Sequence, residues 1–332
     1  MIGFTLKTEI EQKIGNTPLL ELPNFSTNTV KLFAKLEWHN PFGSVKDRAA
    51  YWMIKDAEKR GLIHKNKSII IEPTSGNTGI ALTGIASKMG YKVEIVIPEK
   101  VSEETKKILK ALGAAIHETS DDLCPRVGAG TDQSIALAKA IATPRPDIYY
   151  MPNQYENDAN FLAHYESTGP EIWKQTNGSV THFLTGCGTG GTITGTGSFL
   201  KEKNPRIQII AVQAQKNHLL QGLRNFEESS MPDLFKRREQ VIDEWFTATN
   251  EESFNMVKEL SDKENIMVGP SSGSVMAAMM RQRNKIDRGT IVGIFADDGR
   301  KFKSLYLQQN VFSEEQYEKN MLKAMHLSDL SF

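Results

Sequence analysis

The stretch Thr181-His-Phe-Leu-Thr185, which leads into Gly186-Cys-Gly-Thr-Gly-Gly-Thr192, decides the fold class of this 332-residue chain. Its first five residues have the length and apolar content of a buried β-strand, and the glycine-rich segment is typical of a tight turn. A helix-period pattern follows over residues 192–203, and another apolar run of strand length covers residues 207–214. Strand, helix and strand in this order predict a parallel pair joined by a crossover helix.

The same alternation recurs along most of the chain. Further strands are predicted at residues 31–38, 68–72, 92–98, 114–118, 148–152, 245–248, 266–268 and 290–295. Helices are predicted at residues 45–60, 78–89, 102–112, 132–141, 157–175, 251–263 and 274–284. This repetition predicts an α/β fold of two doubly wound domains, each with helices on both faces of a parallel sheet. Ligands of such folds bind beyond the carboxyl ends of the strands, so chemistry is expected in the loops there.

The units fall into two groups, which predicts two domains. Residues 1–46 and 156–310 form the larger domain, and residues 47–155 form the smaller one. Residues 311–332 are a polar C-terminal tail, either a helix or an arm. Residues 215–238 show no sustained periodicity, and we interpret them as a mobile connection with a short helix.

Composition excludes several classes of protein. Forty basic residues balance forty acidic ones, so neither a nucleic-acid-binding face nor a membrane-surface face is indicated. The longest apolar runs fall far short of the roughly 20 residues of a membrane helix, and the N-terminus does not resemble a signal peptide. Two cysteines, Cys124 and Cys187, make no disulfide framework in a chain of this length. We therefore predict a cytoplasmic protein.

The glycine-rich loop at residues 186–192 is the first candidate binding site. Its N–H groups and the following helix N-terminus can cradle a phosphate, and Thr189 and Thr192 can add hydroxyl donors. The loop also matches the G-x-G-x-x-G fingerprint of nicotinamide dinucleotide sites. That fingerprint requires an acidic residue at the end of the next strand, where the chain reads Val212-Gln-Ala-Gln215. A single small phosphate is therefore favoured, and a nicotinamide-dependent oxidoreductase remains the alternative.

Three further features carry polar groups to strand–helix junctions. In Asn40-Pro-Phe-Gly-Ser-Val-Lys46-Asp-Arg48, a turn delivers a lysine to a helix start, where the helix dipole disfavours a cation. An amine whose pKa is lowered there can form a Schiff base, although most lysines are solvated surface charges. The loop at residues 72–79, Glu-Pro-Thr-Ser-Gly-Asn-Thr-Gly, suits an amino-acid carboxylate. The loop at residues 269–274, Gly-Pro-Ser-Ser-Gly-Ser, could present one hydroxyl to a ligand or simply cap its helix.

Together these segments resemble the cysteine synthase and cystathionine β-synthase family of fold-type II pyridoxal-phosphate enzymes. The resemblance rests on residues 40–48, 73–79, 188–192 and 269–273 in this order, and on Asn16-Thr-Pro-Leu19 near the start. It extends from about residue 14 to about residue 306. It implies a tryptophan synthase β-like fold, with pyridoxal 5′-phosphate in the larger domain, the substrate loop in the smaller one, and a homodimer.

The resemblance also implies a role for each motif. Lys46 forms the internal aldimine, Asn77 hydrogen-bonds the ring hydroxyl oxygen, and Ser271 faces the pyridine nitrogen. The cofactor phosphate is bound by Gly188, Thr189, Gly190, Gly191 and Thr192. The substrate carboxylate is held by Thr74, Ser75, Asn77, Thr78 and Gln154. No metal site is predicted.

The implied reaction replaces the Cβ substituent of a serine derivative through an α-aminoacrylate, with Lys46 as general base and ping-pong kinetics. A neutral Ser271 would leave the ring nitrogen unprotonated, which favours β-elimination over transamination. The nucleophile stays open between sulfide, thiosulfate, a thiocarboxylated sulfur-carrier protein and an amine. The product is therefore L-cysteine or, alternatively, cystathionine or a diaminopropionate precursor. A catalytically silent relative that binds partners is a further alternative.

The identity of the donor depends on Gly222-Leu-Arg-Asn225, which resembles the O-phosphoserine-dependent branch of the cysteine synthases. In that branch the arginine pairs with the substrate phosphate, so Arg224 is expected to bind O-phospho-L-serine in bidentate fashion. O-acetyl-L-serine is the alternative donor. Two features depart from the family pattern. Phe42 stands where a smaller residue is usual, and residues 297–301, Asp-Asp-Gly-Arg-Lys, differ from the common ending of the acetylserine enzymes.

Overall fold

The computed structural model describes residues 9–74, 76–99, 101–120 and 133–328. Its strands are β1 (Leu19–Glu21), β2 (Val30–Leu36), β3 (Ile69–Pro73), β4 (Lys92–Pro98), β5 (Ala115–Thr119), β6 (Tyr149–Tyr150), β7 (His182–Gly186), β8 (Gln208–Ala214), β9 (Glu244–Ala248) and β10 (Gly289–Phe295).

The helices in the same ranges are α1 (Glu9–Lys13), α2 (Lys46–Lys59), α3 (Asn77–Met89), α4 (Glu103–Ala111), α5 (Gln133–Ala142), α6 (Asp158–Ala163), α7 (Gly169–Gln175), α8 (Gly191–Lys203), α9 (Asp233–Lys236), α10 (Asn250–Glu264), α11 (Pro270–Arg283), α12 (Lys303–Gln308) and α13 (Glu314–Ser328). Short 3-10 helices lie at Glu37–His39, Glu239–Val241 and Gly299–Phe302, and a π-helical turn at His164–Thr168. None of these helices is both long and apolar enough to cross a membrane.

The strands form two sheets. The larger has the order β1-β2-β10-β7-β8-β9, and its pairs are parallel except that β1 runs antiparallel to β2. The smaller has the order β5-β4-β3-β6 and is wholly parallel. Two parallel sheets with crossover helices confirm the predicted α/β fold class. The division at residues 46–47 and 155–156 stays a prediction.

Strand β10 shows why the central strands of the larger sheet have continuous apolar sequences. Successive side chains of a strand point to opposite faces. Ile291 and Phe295 pack into the core that α10 and α11 form on one face, and Val292 and Ile294 pack into the core that α7 and α8 form on the other. All four are at most 1% exposed. Helices on both faces therefore leave the strand no polar side.

The smaller sheet is built in the same way. On one face, Ile70 and Ile95 share a core with Ile54 of α2 and Ile85 of α3. On the other face, Ile71 and Val96 pack against Ala138 of α5 in a smaller cluster. Three strands deliver the candidate site. β3 leads into α3, β7 leads into α8, and β10 leads through residues 296–298 into the 3-10 helix at Gly299–Phe302.

Most predicted elements are confirmed to within two residues, and two predictions are wrong. Residues 266–268 are not a strand, because Val268 makes only an isolated bridge to Asp298. The helix predicted at 157–175 is confirmed over residues 158–175, and it contains a π-helical turn because Pro170 has no N–H for the regular ladder. Residues 270–273 are not a loop, because α11 begins directly at Pro270.

Residues 215–238, predicted as a mobile connection with a short helix, contain the short helix α9, and both this segment and the tail have a definite place. In the connection 215–238, Asn225 Nδ2 donates to Ala214 O at 2.8 Å, and Asn225 Oδ1 accepts from the N–H groups of Glu227 and Glu228. In the tail, residues 314–328 form the helix α13, whose Tyr317 is buried against the core of the larger sheet. Strand β1 and helices α1 and α12 were not predicted.

Candidate active site

A cleft of about 1320 Å³, including its open mouth, lies where loops of the two sheets meet. The predicted residues that line it are Lys46, Thr74, Asn77, Thr78, Gln154, Gly188, Thr189, Thr192, Arg224 and Ser271. Gly190 and Gly191 stand just behind this lining, at the start of α8. Ser75 lies outside the described residues. One cleft therefore brings together motifs that are far apart in the chain.

Lys46 is the first residue of α2 and is held by its neighbours. The backbone N–H of Val45 donates to Ala296 O at 2.9 Å, which ties the turn to the end of β10. Asp47 Oδ2 accepts from the N–H of Phe42 at 2.6 Å and closes the turn itself. Burial lowers the pKa of the Lys46 amine, and the charges of Asp297 and Glu37 only partly oppose this. The neutral, nucleophilic form of the amine is thus more populated than in a solvated lysine.

The loop between β7 and α8 has the shape of an anion cradle. No side chain caps the N-terminus of α8 within the described part of the chain. Gly190 has φ +87°, and a Cβ on Gly188 would lie 2.8 Å from Gly222 O, so larger residues do not fit. Thr189 Oγ1 accepts a hydrogen bond from Asn160 Nδ2 at 3.0 Å, which leaves its proton for a ligand. Uncapped N–H groups and a free hydroxyl proton fit a phosphate.

Thr192 is paired with a buried histidine that sequence reasoning missed. His164 Nε2 lies 3.2 Å from Thr192 Oγ1, and His164 Nδ1 lies 2.9 Å from Thr168 Oγ1. Burial holds the pKa of His164 well below its usual value, so the ring is neutral. If Nε2 carries the proton, it donates to Thr192 and frees the Thr192 proton for an anion. His164 lies in the irregular π-helical turn, which no periodicity could reveal.

The loop after β3 is joined to Gln154 on the other side of the cleft. Thr78 Oγ1 donates to Gln154 Oε1 at 2.8 Å, and Thr74 Oγ1 accepts from the N–H of Gly76 at 3.3 Å. Glu72 accepts from the backbone N–H of Gln154 at 3.0 Å and fixes its position. Burial raises the pKa of Glu72 to about 7. Glu72 belongs to the motif at residues 72–79, but no role was predicted for it, because its partner Gln154 is 82 residues away.

Asn77 meets two charged residues that the sequence did not assign to the site. Its Nδ2 donates to Asp297 Oδ2 at 2.8 Å, and its Oδ1 accepts from Lys301 Nζ. Asp297 and Lys301 both line the cleft. They belong to the segment 297–301 noted above as unusual, and their position after a strand was the available signal.

Ser271, in the first turn of α11, is the serine of residues 269–274 that lines the cleft. Ser272 Oγ accepts from the N–H of Ala296 at 3.1 Å, and Ser274 Oγ lies 2.7 Å from Ser253 Oγ. The Ser271 hydroxyl, unlike those of Ser272 and Ser274, makes no hydrogen bond to a side chain or backbone group of the described residues, and Ser271 lines the cleft. Two serines therefore stabilise α11, and the third is left for a ligand.

Arg224 lines the cleft beside the glycine-rich loop. Its backbone N–H donates to Cys187 O at 2.9 Å, and its guanidinium carbon lies 4.9 Å from the centre of the Tyr155 ring. Backbone anchoring and ring stacking hold this cation at the edge of the phosphate cradle.

Comparison with known proteins decides the family. The family described as "Pyridoxal-phosphate dependent enzyme" matches residues 10–297. The chain belongs to this family. Pyridoxal 5′-phosphate is therefore the cofactor, and the nicotinamide alternative is set aside.

Relatives of this pyridoxal-phosphate enzyme place it in the cysteine synthase and cystathionine β-synthase group. It is 43% identical over 311 residues to a cysteine synthase of Aquifex aeolicus, covering 91% of each chain. It is 38% identical to an O-acetylserine-dependent cystathionine β-synthase of Bacillus subtilis, covering 90% of this chain and 97% of the relative. A hydrogen sulfide-producing enzyme of Fusobacterium nucleatum has a similar structure, with a TM-score of 0.82 and 34% identity, covering 90% and 100%. The protein is an enzyme of the β-replacement type.

Proposed function

We propose that this enzyme makes L-cysteine by replacing the phosphate of O-phospho-L-serine with sulfide. The observation that carries the proposal is the place of Arg224 in the cleft, beside the loop at residues 186–192. A phosphate ester brings a second anionic group into the site, and a fixed guanidinium is the side chain best suited to bind it. O-acetyl-L-serine, whose leaving group is neutral before reaction, gains less from Arg224.

For the cofactor, we assign Lys46 as the covalent attachment site and the loop with Gly188, Thr189 and Thr192 as the phosphate site. Gly190 and Gly191 supply N–H groups at the start of α8, and the bound cofactor acts as an electron sink for bonds at the substrate Cα. Ser271 offers the ring nitrogen a neutral hydroxyl.

Lys46 is the residue proposed to move the proton. Burial lowers the pKa of its amine and so eases the neutral form, which can accept a proton from the substrate Cα and return it after the new bond to Cβ has formed. The anchoring of its turn to Ala296 keeps the amine at one place during both transfers.

The substrate carboxylate is proposed to bind between the loop after β3 and Gln154. Thr74, Asn77, Thr78 and Gln154 all line the cleft, and Thr78 donates a hydrogen bond of 2.8 Å to Gln154. Ser75, between Thr74 and the helix, is proposed to add a further hydroxyl. Hydroxyl and amide donors with the N-terminus of α3 suit an anion.

The test replaces Arg224 with alanine and compares the two donors. We expect Arg224→Ala to lower kcat/KM for O-phosphoserine about ten- to a hundredfold, because a charged hydrogen bond is lost. For O-acetylserine the change should stay within about threefold. The control is Arg237→Ala, since Arg237 pairs with Asp158 at the surface and does not line the cleft. An equal loss with both donors would overturn the assignment of the donor.

A second candidate is synthesis of cystathionine from O-acetylserine, because one relative is named for that activity. The chemistry at the donor is the same, and only the nucleophile differs. Product analysis with homocysteine and with sulfide, at equal donor concentration, separates the two. A higher kcat/KM with homocysteine would favour the second candidate.

A further inference from the structure

Three side chains from distant parts of the chain meet at one side of the cleft. Asn77 is the first residue of α3, Asp297 follows β10, and Lys301 lies in the 3-10 helix at Gly299–Phe302. Asp297 is 2% exposed, and Lys301 Nζ lies 3.4 Å from its Oδ2. Both charges contact the amide of Asn77 and line the cleft.

The two charges decide which way the Asn77 amide faces. An ammonium group can only donate hydrogen bonds, so Lys301 must face the amide oxygen. A carboxylate can only accept, so Asp297 must face the amide nitrogen. The opposite orientation would set Nδ2 against the ammonium and Oδ1 against the carboxylate. One Nδ2 hydrogen is used by Asp297, which leaves the second for a ligand.

The segment that carries both charges is itself fixed. Asp297 bridges to Ser44 in the turn that delivers Lys46. Tyr317 of α13 donates from Oη to Gly299 O at 3.1 Å. Gly269 leaves the space for Asp297, since a Cβ there would lie 2.1 Å from Oδ1. These three contacts hold the segment that carries Asp297 and leave room for its carboxylate beside Asn77.

We propose that Asp297 and Lys301 are positioning residues that hold the Asn77 amide with one N–H directed to the cofactor, and so raise the affinity for pyridoxal 5′-phosphate. The inference rests on the proposed place of Asn77 in the cofactor site. Neither charge has to touch the cofactor. Both act through the orientation of one amide group.

The experiment titrates pyridoxal 5′-phosphate into cofactor-free enzyme and measures Kd from the visible absorbance. Lys301→Met removes the donor to Asn77 Oδ1, and Asp297→Asn replaces a group that can only accept with an amide that can present either its oxygen or its nitrogen. Each variant is expected to raise Kd about three- to tenfold, the effect of weakening or losing one hydrogen bond. Lys301→Arg keeps a cationic donor and should stay within about twofold of the parent. The matched control is Asp298→Asn, because Asp298 pairs with Arg300 and not with Asn77.

Double variants with Asn77→Ala decide whether the charges act through the amide. Asn77→Ala alone should raise Kd, and adding Asp297→Asn or Lys301→Met should then change nothing further. If Asp297→Asn or Lys301→Met still raises Kd in the Asn77→Ala background, that charge does not act through the amide, and the inference is overturned. If Asn77→Ala raises Kd and neither charge variant does, the inference fails while the cofactor site stands. If Asn77→Ala leaves Kd unchanged, the assignment of Asn77 itself is wrong. If thermal unfolding shows that Asp297→Asn does not fold, Lys301→Met alone and in the Asn77→Ala background provides the test.

Discussion

The carboxylate of Glu72 accepts a hydrogen bond of 3.0 Å from the backbone N–H of Gln154, which lies 82 residues further along the chain. Its second oxygen accepts from the N–H of Asn153 at 2.9 Å. Glu72 is the last residue but one of β3, and Gln154 also accepts from Thr78 in the first turn of α3. One buried carboxylate therefore holds together the two walls of the proposed carboxylate site.

This relationship predicts a pH-dependent KM. Because the pKa of Glu72 is raised to about 7, the ionised form with two acceptor oxygens is lost as pH falls through that value. We expect KM for the amino-acid donor to rise about three- to tenfold between about pH 8 and about pH 6, with a smaller change in kcat. In Glu72→Gln, KM should be raised at all pH values and its dependence on pH should be flatter. Steady-state kinetics at fixed, saturating nucleophile measure both parameters.

The control for this prediction is Glu94→Gln. Glu94 lies on the neighbouring strand β4 and pairs with His117 and Tyr149, away from the cleft lining. Its KM profile should match that of the parent enzyme. A Glu72→Gln profile as steep as the parent's would show that another group titrates.

Features of the site that depend on local sequence could be predicted, and contacts between distant residues could not. The glycine-rich loop and the Lys46 turn could be found because each is a single strand–turn–helix signal. The pairs Glu72–Gln154 and Asn77–Asp297 join residues 82 and 220 positions apart, and no local pattern encodes such contacts. His164 was not predicted as a site residue for a different reason. It lies in a π-helical turn that breaks the helical period on which the prediction depended.

The wrong strand at residues 266–268 has a related cause. Ile266, Met267 and Val268 are all at most 4% exposed, so their apolar run is real. A buried run of three residues does not distinguish a strand from a buried connection. Here only Val268 finds a bridge partner, Asp298, because α11 begins two residues later.

A second prediction concerns which amine of the cleft binds the cofactor, since Lys46 and Lys301 both line it. Lys46 is the expected attachment site because burial favours its neutral form. Lys46→Ala should lower kcat about a hundred- to ten-thousandfold, the usual range for a lost general base. After borohydride reduction, mass spectrometry should find the cofactor on the Lys46 peptide, in the parent enzyme and in Lys301→Met at saturating cofactor. The reduced cofactor on the Lys301 peptide would contradict the assignment.

A third prediction concerns His164, which is expected to act as a neutral donor to Thr192 and so to direct the Thr192 proton to the cofactor phosphate. His164→Phe should raise the Kd for pyridoxal 5′-phosphate about three- to tenfold, because Thr192 then loses its partner. Since burial keeps the pKa of His164 well below its usual value, the ratio of variant to parent Kd should be constant between about pH 6 and about pH 9. His117→Phe is the control, because His117 pairs with Glu94 outside the cleft and its replacement should leave Kd unchanged. A ratio that changes with pH around 6.5 would mean that His164 becomes charged, in which case it would act on the phosphate by its charge and not by orienting a hydroxyl.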